Sequence, residues 1–363
     1  MVGVARGQDQ CMNKKLLRTS TALLAVVASL ALAACGSSSK SSSGSSNSSS
    51  SKNLTGAGST LIAPLMSQWQ PKYDEDHGVA VTYGAIGSGG GIEQITARTV
   101  DFGASDAPLT SSQASACKGC VQIPWSLAAV AIAYNVKGVP NGLHLTGPVL
   151  ADMYLGKIKA WNDPQIKKLN PGVTLPSTKI TPVYRTDGSG DTYALTDYLS
   201  KISPQWKSQV GKSTQVHFPA GLGGKGSSGV AGVLTSTNGA VTYLTLAYVL
   251  QNKLDVASIQ NAAGKYVAPG VLSITAAAST LKSVPANNNI SITDPPASAA
   301  RAYPISTFTY VIVPTKSPKG SELKKFISWA IGPSGQKYAP KLEFATLPSK
   351  IVSADQTTLN KIH

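Results

Sequence analysis

The chain has 363 residues, 42% of them hydrophobic, and 32 Lys and Arg against 17 Asp and Glu give a formal net charge of +15. Such a basic balance admits nucleic acid, an anionic surface or an anionic ligand as partner. The scatter of the lysines and an aromatic content of 6% argue against nucleic acid. Four histidines, His77, His144, His217 and His363, stand apart without ligand spacing, so no metal site is expected.

In chain order, Lys14, Lys15 and Arg18 make a positive leader region, followed by an apolar run over 23–34 that is too short to span a bilayer. The run ends in Leu32-Ala33-Ala34-Cys35, small residues before a cysteine, which reads as a lipoprotein box. Residues 1–34 are thus an expected signal peptide, with cleavage before Cys35 and acylation of its thiol. Met12 is the expected start, because residues 1–11 (including Cys11) add nothing to the leader. Removing 1–34 takes away four basic residues and one acidic residue, leaving 28 against 16 and a charge near +12. The next stretch, 36–52, is almost pure Ser with some Gly and Lys, a composition that buries no apolar surface. With Cys35 it forms a flexible tether of about 20–25 Å.

From Asn53 to His363, short apolar β-rich runs alternate with helical patterns, which predicts an α/β fold. Strands are predicted at 79–85, 100–105, 128–136, 179–185, 239–244 and 306–313. Helices are predicted at 61–76, 91–98, 149–158, 192–202, 230–237 and 320–331. Cys117 and Cys120, in ACKGC, belong to an exported chain, and a disulfide pinning that loop is the leading reading. A redox CxxC would want a helix start, and a metal site would want a second CxxC.

Three segments share one logic, a small, polar, Gly-rich turn leading into a helix: GAGSTLIAPLMSQW (56–69), GSGGGIEQI (87–95) and DGSGDTYALTDYL (187–199). Helix starts expose unpaired N–H groups and the positive end of the dipole, and glycines let a ligand approach the backbone. One such turn merely caps a helix. Three together, with Arg185 just before the third, point to an oxyanion cage, since guanidinium forks onto tetrahedral oxyanions. Asp106, in DFGASDAP, would repel a bare anion but accepts a hydrogen bond from one that carries a proton. Sulfate lacks that proton, so the carboxylate discriminates. GLGGKGSSG (221–229) fails as a phosphate loop, because Gly226 rather than Ser or Thr follows Lys225. GSGGG is not a dinucleotide fingerprint, and no G-x-S-x-G nucleophile elbow occurs.

The runs LTGAGSTLIAPL, YGAIGSGGGIEQI, TVDFGASDAPL, MYLGKIKAWNDPQI, YRTDGSGDTY, FPAGLGGKG and YPISTFTYVIV resemble, in order, the phosphate-binding proteins of bacterial high-affinity phosphate ABC transporters. The resemblance implies a type II periplasmic-binding-protein fold, two α/β lobes with a hinge and an interlobe ligand cleft. Lobe I would comprise 53–133 plus about 272–363, and lobe II 134–271. It implies phosphate contacts at Thr60, Leu61, Ser88, Asp106, Arg185, Ser189 and Gly190. Asp191 stands where many relatives have Thr. It either accepts a further ligand proton, turns to Arg185, or serves as a first-turn helix acid while its N–H binds the ligand. The implied protein is a monomeric, non-enzymatic receptor without cofactor, held outside the cell membrane by lipidated Cys35 and serving permease subunits of the transporter. Its rivals are a receptor for sulfate or molybdate, a phosphohydrolase using Ser189 or Asp191 as nucleophile, and a surface adhesin.

Overall fold

The computed structural model describes residues 52–363. The leader, Cys35 and the Ser-rich tether up to residue 51 lie outside the described residues. Among those described, no helix is long and apolar enough to cross a membrane.

A nine-stranded curled sheet organises the fold. Its main strands are β1 (Leu54–Gly58), β2 (Val81–Ala85), β3 (Phe102–Ser105), β4 (Cys120–Asn135), β5 (Thr181–Arg185), β6 (Leu222–Gly224), β7 (Ala240–Thr245) and β8 (Ser306–Pro314). They lie in the order β2-β1-β3-β8-β4-β7-β5-β6, with Asp255–Val256 pairing β4 as the ninth strand. β1 runs parallel to β2 and β3, and β5 parallel to β6 and β7. β4 spans both parallel groups: its residues 120–129 pair antiparallel with β8, and 130–135 pair antiparallel with β7. Pro124 offers no N–H to the ladder, and the β4/β8 register slips there, between Thr309 and Tyr310. β8, near the C-terminus, inserts between β3 and β4.

The helices that matter here are α1 (Ala63–His77), α2 (Ser88–Thr96), α3 (Gly190–Ile202), α4 (Gly226–Ser236), α5 (Gly320–Ile331) and α6 (Ser349–Leu359). Two aromatic clusters fill the core. Trp125 meets Trp69, Phe102 and Phe326 edge-on at 5.4–6.5 Å, beside the β1–β3 group. Phe218 packs on Tyr154, Tyr184, Trp206 and Tyr243 at 4.8–6.1 Å, beside β5 and β7. Edge and offset contacts of this kind add to the area that the rings bury.

Two local expectations are corrected. The run Leu54–Gly58 is strand β1, not the turn ahead of a helix. Its glycines are there for close packing: a Cβ on Gly58, at φ +145°, would fall 2.1 Å from the Ala104 carbonyl oxygen. The helix after it starts only at Ala63, so Thr60 and Leu61 lie in the strand-to-helix connection. The strand expected at 128–136 begins at Cys120, taking in VQIPW.

Cys117 and Cys120 are joined in a disulfide, with Cα atoms 5.5 Å apart. Arg98, one residue past the end-cap of α2 and at φ 59°, threads its guanidinium into this loop. It donates to the carbonyls of Ile95, Cys117 and Lys118 and lies 3.2–3.3 Å from both sulfurs. His144 stacks on Tyr266 and His77 leans on Tyr73, which makes them packing residues.

Candidate functional site

Five strands, drawn from the two parallel groups, end at one place. β1 runs into Ser59-Thr60-Leu61, β2 into Gly87-Ser88 and β3 into Asp106, while β5 ends at Arg185 and β6 leads to Gly226-Ser227. Ligands of parallel α/β sheets collect beyond the carboxyl ends of the strands, where connections enter helices. Thr60, Ser88, Asp106, Arg185, Ser189, Asp191, Ser227 and Thr245 are all at least 94% buried there, without being part of any apolar cluster.

Ser88 links the two groups of strands. Its Oγ accepts the N–H of Gly190 at 3.1 Å and that of Asp106 at 3.2 Å, and it donates to Asp106 Oδ2 at 3.3 Å. Beside it, the Gly89 N–H donates to the Gly188 carbonyl at 2.9 Å. Thr60 Oγ1 meets Ser227 Oγ at 2.8 Å. Ser59 Oγ donates to both oxygens of Asp106, at 2.7 and 2.5 Å, and accepts the N–H of Leu61 at 2.9 Å.

Arg185 is fixed on every side. Its Nε donates to Asp187 Oδ1 at 2.8 Å and its Nη2 lies 2.5 Å from Oδ2, a two-point fork. Nη1 reaches Asp191 Oδ2 at 3.1 Å. Its backbone N–H donates to the Tyr243 hydroxyl at 3.0 Å, and that hydroxyl also bonds Thr192 in the first turn of α3. Asp191 Oδ1 accepts from Thr245 Oγ1 at 3.1 Å. Of the readings open for Asp191, the one that turns its side chain to Arg185 describes this geometry. Ser189 caps α3, its Oγ accepting the Thr192 N–H at 3.3 Å.

Two carboxylates, Asp187 and Asp191, thus share the Arg185 guanidinium, and a third, Asp106, lies nearby without touching it. Burial and the neighbouring charge of Asp191 push the Asp106 carboxyl well above the usual range, against the donated hydrogen bonds of Ser59 and Thr309 and the more distant charge of Arg185. Asp191 is also raised by burial, with Arg185 and Thr245 opposing. Asp187 is held low despite its burial, because Arg185 and the Gly226 N–H stabilise its charge. A centre of this kind suits an oxyanion that brings its own proton.

All eight residues expected from the sequence, Thr60, Leu61, Ser88, Asp106, Arg185, Ser189, Gly190 and Asp191, gather in this cluster. Four others were not foreseen: Ser59, Asp187, Ser227 and Thr245. Asp187 and Ser59 lie inside turns already singled out. Ser227 lies in the glycine run set aside as a failed phosphate loop, and that run is a fourth strand–turn–helix connection of the same build. Its failure as a nucleotide motif says nothing against that. Thr245 carries no sequence signal, since its place depends on β7 lying beside β5. Among the described residues, no group of His, Cys, Asp and Glu is arranged to hold a metal ion.

The model for the PBP superfamily domain matches residues 43–334. A phosphate-binding protein PstS of Xylella fastidiosa is 43% identical over 304 residues, covering 82% of each chain. The chain belongs to the PstS family. A second relative of that name, from Haemophilus influenzae, is 38% identical over 306 residues, covering 83% of this chain and 90% of its own. In fold, the chain is similar to a high-affinity periplasmic phosphate-binding protein solved with bound phosphate, at a TM-score of 0.68, 20% identity, and coverage of 84% and 92%. The fold is the type II periplasmic-binding-protein fold.

Proposed function

We propose that this chain is a solute-binding protein that captures inorganic phosphate and delivers it to an ABC-type importer. Membership of the PstS family supports this, and so does a wholly buried carboxylate, Asp106, set among hydroxyl and N–H donors. A carboxylate in such a place is costly unless it meets a proton, and the hydroxyl of hydrogen phosphate supplies one. The phosphate contacts are Thr60, Leu61, Ser88, Asp106, Arg185, Ser189, Gly190 and Asp191. Ser227, bonded to Thr60 and 3.5 Å from Arg185, is a further donor within reach.

Phosphate enters between lobe I (53–133 plus about 272–363) and lobe II (134–271), and the lobes close over it about the strands that join them. Uncharged donors and helix starts disperse its charge, so selectivity comes from matched donors and acceptors rather than from net charge. The loaded monomer docks on permease subunits, and no bond is broken. Cleavage of 1–34 and lipidation of Cys35 leave the receptor tethered outside the cell membrane on its Ser-rich stalk. Titration calorimetry with phosphate and sulfate tests the reading. Tight binding of phosphate alone is expected, whereas equal heats with both ions would overturn it.

A further inference from the structure

The Ser59 hydroxyl does something that none of the assigned contacts explains. It is completely buried, donates to both oxygens of Asp106 and accepts the N–H of Leu61. A protonated phosphate oxygen would use the same two groups in the same sense, giving its proton to Asp106 and taking the N–H of Leu61. Two oxygens cannot occupy that one point. Ser59 is followed at once by Thr60, whose hydroxyl points elsewhere, to Ser227. The Ser59 carbonyl accepts from the Tyr83 hydroxyl at 2.7 Å, which holds the backbone, so giving up Asp106 and Leu61 would take only a turn of the side chain about χ1.

We propose that Ser59 is a built-in surrogate for the ligand's P–O–H group, holding Asp106 and the Leu61 N–H until phosphate displaces it. This rests on the phosphate reading above and adds a residue that sets affinity within that site. Its hydroxyl keeps the buried carboxylate supplied with a donor, and so prevents the cost of an unmet acceptor. The consequence is competition, since phosphate gains its bonds to Asp106 and Leu61 only by breaking those of Ser59. The surrogate therefore weakens binding and speeds release. For a receptor that must surrender its cargo, that is useful.

The test is Ser59→Ala, measured by calorimetry with inorganic phosphate at neutral pH. Losing one charge-assisted competitor is expected to tighten binding roughly tenfold. A second readout is the carbon NMR titration of the Asp106 carboxyl in phosphate-free buffer. Arg185, Asp191, Tyr83 and Tyr310 face Asp106 and are unchanged in the variant. Loss of the Ser59 donor then moves the Asp106 midpoint upward, which a purely structural role would not do. Ser59→Cys, of similar volume but a weaker donor, should fall between the two proteins. If the Ala variant does not fold, the Cys variant carries the test on its own. Unchanged or weaker phosphate binding overturns the surrogate role. Failure of both the parent and the variant to bind phosphate would instead overturn the site itself.

Discussion

Gly190 and Asp106 are in contact across the site. A Cβ placed on Gly190 would lie 2.3 Å from the Asp106 Cβ and 2.4 Å from its Oδ2. Gly190 opens α3 and Asp106 follows β3, so this contact joins the β5–β7 side of the fold to the β1–β3 side. It has the closeness of backbone against side chain, which only glycine permits.

Gly190→Ala therefore wedges the two sides apart at the proposed phosphate site. Overpacking of this kind costs about 1–3 kcal/mol, or roughly 5- to 150-fold in Kd. Calorimetry should find weaker phosphate binding with little change in the thermal midpoint. An unchanged Kd would mean that the two segments are not this close when phosphate is bound.

Asp191 adds a negative charge beside Arg185, in the site proposed to hold phosphate. Asp191→Asn keeps the shape and the acceptor for Thr245 while removing that charge. Phosphate binding should tighten about tenfold at pH 8, where the dianion prevails, and less at pH 5. A uniform change across pH 5 to 8 would leave Asp191 only its structural tie to Arg185. Weakening that grows toward acid pH would instead favour a carboxylate that accepts a second ligand proton.

Asp197, on α3, is an anchor rather than a ligand group. It accepts from Lys212 Nζ at 2.8 Å, from Ser291 Oγ at 2.9 Å and from Thr293 Oγ1, while Lys201 stands 3.1 Å away. Burial opposes its charge, yet Lys212, Thr293 and Lys201 hold the carboxyl down at about 2. A depressed carboxyl stabilises the fold above its unfolded value, near 4, and that contribution is lost as pH falls from about 4 to 2. Asp197→Asn should cost about 1–2 kcal/mol at pH 7, the exposed lysines contributing little. Urea unfolding at pH 7 and pH 2.5 should show the gap between the two proteins narrowing in acid.

Asp355, on α6, is completely buried, and neither carboxyl oxygen has a hydrogen-bond partner among the described residues. Burial alone pushes it up to about 9. The native state then keeps a proton that the unfolded chain has lost from about pH 4 upward, so stability falls as pH rises toward 9. The slope from this one group reaches about 1.4 kcal/mol per pH unit. Asp355→Asn, unable to ionise, should flatten the dependence of unfolding free energy between pH 5 and 9. An equally steep curve in the variant would show that the Asp355 carboxyl finds solvent or a partner.

The local patterns were enough for much of the molecule. The helix predicted at 320–331 occupies those residues, because its apolar stripe and Gly320 start are properties of the segment itself. Asp106, Arg185 and the Gly-rich turns could be singled out because charge, hydroxyls and glycine at strand ends are visible in one dimension. Strand β1 could not be read so easily, since LTGAG has a single β-branched residue, Thr55, and two glycines, and it becomes a strand between β2 and β3, where Phe102 and Ala104 pack against those glycines. Tertiary structure also decided which partner each polar group takes. Asp187 and Asp191 divide Arg185 between them, Ser227 meets Thr60, and Thr245 meets Asp191. The Thr60–Ser227 and Asp191–Thr245 pairs bring together segments that are distant in sequence, and a hydrogen bond needs its two atoms about 3 Å apart. The sequence by itself determined which hydroxyls, glycines and charges stand at the strand ends, Asp106 and Arg185 among them. Only the packing of five strand ends decided that Ser59 stands beside that carboxylate, where a ligand's proton would come.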